Sequence, residues 1–178
     1  MYYAVSGKTE TNFPGPQVVA KINTPWEVIF DNAMRGPDEP LKMITPTDWS
    51  QSTDARVKYY SGTAVYRNSV RLAKPEPGET IFLNLGRVGV MAEVIINGQM
   101  AGGVWSQPWR VDITKFVSEG ENEVEVRVVN NWVNRLIGDS RLPEKERQTW
   151  INVNEVKPDD TLQPSGLLGK VTITKVRY

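Results

Sequence analysis

Across 178 residues, 21 Lys+Arg balance 21 Asp+Glu, and there is neither a cysteine nor a histidine. The length suits one domain with a real hydrophobic core. The missing residue types exclude disulfides, thiol nucleophiles, Cys- or His-ligated metal centres and the Ser-His-Asp triad. Balanced charge argues against nucleic acid, whose binding rests on Lys and Arg neutralising phosphates. No membrane association is expected: the best apolar stretch, Val88 to Ile96, is short and contains Glu93. Catalysis in such a chain would run on carboxylates, Lys, Tyr or backbone dipoles, and glycoside hydrolysis by paired Asp/Glu is the most natural case.

The chain opens on Met1-Tyr2-Tyr3-Ala4, without the charged start and apolar stretch of a secretory signal. Residues 1–22 read as an N-terminal extension or the tail of a preceding domain, polar from Ser6 to Asn12 and punctuated by Phe13-Pro14-Gly15-Pro16. Residues 23–178 read as one domain. Trp26 to Phe30 is a first strand, and Asp31 to Ser61 is a long polar connection carrying Pro37, Pro40 and Pro46. Thr63 to Leu72 is a second strand, rich in β-formers. Thr80 to Leu85 alternates so that Ile81, Leu83 and Leu85 point inward. Arg87 to Ile96 is more fully apolar and ends in Asn97-Gly98, a tight-turn signal.

After Gly102-Gly103 and the stretch to Arg110, Asp112 to Val117 reads as one capped turn. Glu121 to Val128 then alternates polar with apolar, which places Val124, Val126 and Val128 on one buried face. A second long connection, Asn130 to Gly169, includes a possible turn over Leu142 to Thr149 with Pro143 at its first position. Lys170 to Tyr178 is the last strand. No segment sustains a helical apolar stripe over three turns, and there is no internal repeat. Short strands with 14 Gly and 12 Pro predict an all-β chain, an antiparallel β-sandwich or jelly roll.

Six tryptophans, at 26, 49, 105, 109, 132 and 150, are the unusual compositional feature. An indole suits sugar recognition because pyranose C–H groups stack on its face while hydroxyls find polar neighbours. Trp26 and Trp49 read as core. Trp105 and Trp132 read equally as core plugs or as stacking plates. The richest constellation runs from Asn130 to Asp139: Asn130, Trp132, Asn134, Arg135 and Asp139 offer amides, a guanidinium, a carboxylate and an indole to a hydroxyl-dense ligand. The same residues could instead form a loop pinned by an Arg135–Asp139 pair, with the amides capping strand ends. Trp105 and Trp109 are candidate helpers, beside glycines that would either let backbone approach a ligand or mark a bend at a sheet edge.

No phosphate loop follows the glycines. No cofactor is expected. Asp31-Asn32 with Asp38-Glu39 could supply oxygen ligands to a structural calcium, but their spacing is not that of an EF-hand.

An ordered series of blocks carries a family resemblance. Trp26-Glu27-Val28, Ser61 to Tyr66, Tyr66-Arg67-Asn68-Ser69-Val70, Ala92 to Gln99, Asp112 to Asn122 and Val126 to Asn130 together resemble the sugar-binding, galactose-binding-like jelly-roll domain of glycoside hydrolases, best known from family 2. Trp132 to Asp139 and Pro164 to Gly169 look more like the β-sandwich near the C-terminus of family 106 enzymes, which are α-L-rhamnosidase-like. The resemblance covers about residues 25–178. It implies a non-catalytic sandwich whose parent enzyme keeps its catalytic carboxylates on a separate domain, with the Asn130–Asp139 loop matching one that reaches toward the active site.

None of the matched motifs is catalytic, so no catalytic residue carries over. The resemblance therefore implies two partners, carbohydrate and the catalytic domain of a parent enzyme. It also implies a periplasmic or extracellular location if that parent is secreted. A purely structural interdomain module, and a small hydrolase using Asp/Glu pairs, are the other readings.

Overall fold

The protein is described by a computed structural model over residues 15–152 and 155–177. Among these residues, ten strands build two antiparallel sheets. One runs β3 (Leu41–Met43), β2 (Trp26–Phe30), β4 (Thr63–Leu72), β10 (Gly120–Val129), β7 (Met91–Ile96), β8 (Gln99–Val104). The other runs β1 (Gln17–Lys21), β12 (Thr172–Arg177), β5 (Glu79–Asn84), β9 (Arg110–Asp112). A small ribbon pairs β6 (Arg87–Val88) with β11 (Leu167–Leu168). Two short helices, α1 (Ala55–Lys58) and α2 (Val133–Ser140), lie in the connections. The chain is a β-sandwich, as its alternation predicts.

The core follows from that alternation. Val124, Val126 and Val128 of β10 are buried, as are Ile81 and Leu83 of β5 and Ile173 of β12. Each such side chain contributes about 1.5–3 kcal/mol when removed from water. At one edge of this core sit Trp26, Phe30, Trp49, Tyr60 and Tyr66, all buried. Edge-to-face contacts join Phe30 to Trp49 and to Tyr60, and the Trp49 Nε1–H donates to the Tyr66 hydroxyl at 2.7 Å. That bond satisfies an indole N–H that would otherwise be costly to bury. The predicted turn at Asn97-Gly98 closes the β7–β8 hairpin with φ of 51° and 77°, the conformation that dipeptide favours.

The structure revises two expectations and decides a third that the sequence left open. Gln17 to Lys21, assigned from sequence to the extension, pairs with β12 at the edge of the four-stranded sheet. Residues 1–14 of that expected extension lie outside the described residues. Gln99 to Val104 forms a sheet-edge strand despite Gly102-Gly103, so these glycines mark an edge. Part of the expected loop after Asn130 is a helix: α2 is two turns long, too short for the three-turn stripe by which helices were sought.

Register places the candidate residues at one end of the sandwich. Val129, the last residue of β10, pairs with Thr63 at the start of β4 and with Met91 at the start of β7. Ala92 pairs with Val104 at the end of β8, and Asn84 at the end of β5 pairs with Arg110 at the start of β9. The segments following β5, β8 and β10 thus emerge together, with β8 two strand spacings, about 10 Å, from β10.

Candidate functional site

Asn130 follows the end of β10 and turns inward: its Nδ2 donates to the Tyr60 carbonyl at 3.0 Å. The Asn131 side chain accepts from the Val133 N–H at 3.2 Å and so starts α2 from outside the helix. Asn134 is buried and behaves like a strand partner for residue 163. Its Oδ1 accepts from the Gln163 N–H at 2.8 Å while its Nδ2 donates to the Gln163 carbonyl at 2.7 Å. The same strap continues to Ser165, whose N–H donates to Asp48 Oδ1 at 3.0 Å. Both sequence-predicted amides are therefore committed inward, Asn130 to the Tyr60 carbonyl and Asn134 to holding the 163–165 strap on the sandwich. Gly138 lets α2 lie against Tyr59, since a Cβ there would sit 2.6 Å from the ring.

Arg135 and Asp139 are one turn apart on α2, and their closest charged atoms, Arg135 Nη1 and Asp139 Oδ1, lie 3.9 Å apart. Their side chains are 7 % and 2 % exposed, so the pair sits in a poorly screened interior. Burial pulls the Arg135 guanidinium below its usual range, and the facing Asp139 carboxylate partly offsets that. Asp139 Oδ2 accepts from the N–H groups of Gln148 and Thr149 and from the Thr149 hydroxyl, at 2.7–2.9 Å. Arg135 Nε and Nη2, Asp139 Oδ1 and Gln148 Oε1 are buried without a hydrogen-bond partner.

Asp139 thus fastens a second strap, residues 141–151, which Arg35 also holds through its Nη1 bond to the Glu146 carbonyl. Between α2 and this strap lies a cavity of about 370 Å³, bordered by Leu136, Asp139, Gln148 and Trp150 among others.

The tryptophans divide as the sequence suggests in part. Trp26 and Trp49 are core. Trp132, at the start of α2, is 47 % exposed, and Trp105 is 76 % exposed on the β8–β9 connection. Trp109 is half-buried with its indole nitrogen unpartnered. Trp150, not among the predicted site residues, is 80 % exposed at the cavity. Sequence reasoning also missed Gln148 and Thr149, because only the fold brings the strap onto Asp139.

Among the described residues, no cluster of three or more Asp or Glu is arranged to hold a metal. Asp31 instead caps the turn at Ala33, and Asp38 faces Arg56 at 3.5 Å. Among the described residues, no helix is long and apolar enough to cross a membrane.

The two-sheet architecture and its end-on connections define a galactose-binding-like sandwich. The family described as glycosyl hydrolase 2 galactose-binding domain-like matches residues 26–160, and the chain belongs to it. Over 91 % of its length the chain resembles the structure of a rhamnosidase from Novosphingobium sp. PP1Y, with 37 % identity and a TM-score of 0.85, covering 15 % of that protein. A Formosa agariphila protein named "Putative beta-glucuronidase" is 35 % identical over 97 % of this chain, which spans 17 % of it. A β-D-glucuronidase from Dictyoglomus thermophilum shares the fold with a TM-score of 0.61 at 20 % identity, over 94 % of this chain and 29 % of that protein. The chain spans less than a third of the length of each of these relatives.

Proposed function

We propose that this chain is a non-catalytic accessory domain of a glycoside hydrolase that presents its α2 end to carbohydrate beside a partner catalytic domain. The observation that carries the reading is the gathering of three exposed indoles, Trp105, Trp132 and Trp150, on connections at one end of a galactose-binding-like sandwich. Exposed indoles cost solvation unless a partner covers them, and flat aromatic faces suit pyranose rings. The relatives that span this chain are named for rhamnosidase and glucuronidase activity, which supports a glycoside-hydrolase parent. Catalysis belongs to that partner domain, because the best-placed carboxylate here, Asp139, is committed to the 141–151 strap.

Titrating rhamnose- and galactose-containing glycans into the chain should perturb indole fluorescence, and Trp132→Ala should weaken the response. Titration that leaves every indole signal unmoved would remove independent sugar binding. A second reading, a purely structural interdomain module, is favoured by the inward commitment of Asn130 and Asn134. It predicts that the exposed indoles are covered only when the catalytic domain is present.

A further inference from the structure

The turn at Asn97-Gly98, the one Asn-Gly step in the sequence, carries a chemical liability that the fold restrains. In such a step the Gly98 nitrogen can attack the side-chain amide of Asn97. A bond forms from that nitrogen to Cγ, the Cγ–Nδ2 bond breaks, and ammonia leaves with the proton that the Gly98 nitrogen gives up. Water then opens the cyclic imide to aspartate or isoaspartate. Glycine favours the attack because no Cβ crowds the nitrogen and its backbone turns freely. In the fold nothing packs within 4 Å of where a Gly98 Cβ would stand, so neighbours do not shield this side of the turn.

The restraint lies in the Asn97 side chain. Its Oδ1 accepts from the Glu123 N–H at 2.9 Å, and its Nδ2 donates to the Phe116 carbonyl and to Asn122 Oδ1, both at 2.9 Å. A backbone donor on one side and a backbone acceptor on the other leave the amide a single orientation. Asn122 is fully buried, and its own amide is saturated. Its Oδ1 also accepts from the Ser118 N–H and hydroxyl, while its Nδ2 donates to the Ser118 and Gly120 carbonyls. The two asparagines thus tie the β7–β8 turn to residues 116–120 and to the start of β10. A fully satisfied buried network of this kind holds its members rigidly.

We infer that Asn97 is a latent deamidation site kept intact by this clamp, and that its conversion is a one-way event that unfastens the hub. Cyclisation swings the side-chain amide away from Glu123, Phe116 and Asn122 together. Losing three hydrogen bonds of ordinary net strength slows the reaction about a hundredfold. After conversion the side chain is an acceptor only, set against the Phe116 carbonyl and Asn122 Oδ1, which both need a donor. Isoaspartate also adds a methylene to the backbone of a tight turn. A brief local opening is thereby coupled to a permanent change, the route by which chemical modification makes unfolding irreversible. The site is independent of the carbohydrate reading: it follows Ile96 at the end of β7, whereas the α2 end gathers at Met91, where β7 begins.

The test incubates the whole chain in mildly alkaline buffer, folded and in urea, and follows Asn97 by peptide mapping with an isoaspartate-specific assay. The folded chain should convert about a hundredfold more slowly than the unfolded one. Its rate should also follow hydrogen exchange at the Glu123 N–H, which is released when the same clamp opens. Equal rates in the two states would overturn the clamp, and so would an Asn97 that stays intact in urea.

Asn97→Asp tests the consequence. It should unfold at lower urea than the parent chain, with faster exchange at the Ser118 N–H, which Asn122 Oδ1 accepts. An Asn97→Asp chain with the parent's midpoint and the parent's exchange at Ser118 would overturn the release of the hub. Should this variant fail to fold, the comparison of folded and urea-unfolded parent chain still decides the clamp.

Discussion

Arg135 and Asp139 face each other across 3.9 Å inside the protein, one helical turn apart, without a hydrogen bond between them. Such a pair gains Coulomb energy but bears desolvation on both sides, and removing one partner leaves a buried charge uncompensated. Arg135→Met and Asp139→Asn are therefore each expected to destabilise the chain, by roughly 3 kcal/mol for the arginine change. The double variant should lose less than the sum of the two, by about 1 kcal/mol or more. Urea unfolding of the four proteins measures this coupling, and additive losses would mean that the pair does not interact.

Asp139 also fastens the 141–151 strap through its other oxygen. In Asp139→Ala the amides of Gln148 and Thr149 lose their acceptor and should exchange with solvent much faster. Amides of β10 should keep their protection. Hydrogen exchange resolved by residue separates local release of the strap from global loosening.

Gly166 occupies φ of +90° in the 163–168 strap, and a Cβ there would lie 2.5 Å from the Trp49 indole. Strain and overpacking both oppose a side chain, so Gly166→Ala should cost about 3 kcal/mol. Gly169 is at φ of +110° with open space around its would-be Cβ. Gly169→Ala should therefore cost only the conformational part, roughly 1–2 kcal/mol. Denaturant midpoints for the two variants check the order.

Two glutamates make stability sensitive to acid. The Lys175 ammonium, 2.7 Å from Glu79, holds that carboxyl below its usual value. Partial burial pushes Glu125 upward, but hydrogen bonds from Arg67 and Arg127 outweigh it and leave Glu125 below its usual value as well. A lowered folded-state pKa means that the stabilisation is fully present above the usual glutamate range. It is lost as pH falls through the lowered values, below about pH 4.5. Glu79→Gln/Glu125→Gln should show a smaller drop in urea midpoint between pH 6 and pH 3 than the parent chain. An equal drop would assign the acid sensitivity elsewhere.

The strands were readable where one face of a sheet is buried and the other is wet. In β5 and β10 the period of two in Ile81-x-Leu83 and Val124-x-Val126-x-Val128 is the physical signature of that half-burial. β1 and β8 lie at sheet edges and escape this pattern, since Val18, Val19 and Met100 are exposed and Gly102-Gly103 carries no side chain.

At the candidate site, the residue types of Asn130 to Asp139 singled out a polar constellation, but not which of its atoms face inward. Asn134 is silenced by a backbone 29 residues away, and Asp139 by Gln148 and Thr149 on a strap without periodicity. Such partners depend on long-range packing, which local pattern does not encode. Trp150 stood out by composition alone, and its place at the cavity required the fold.

The central claim is that the α2 end is the working face of this domain. The most direct test is hydrogen exchange across residues 130–151, measured in this chain alone and in a longer chain that joins it to a glycoside-hydrolase catalytic domain, each with and without glycan. The account predicts that protection rises in 130–151 when the catalytic domain or glycan is present, while β4 and β10 stay unchanged. Unchanged exchange in 130–151 under every condition, with new protection on another face, would contradict it.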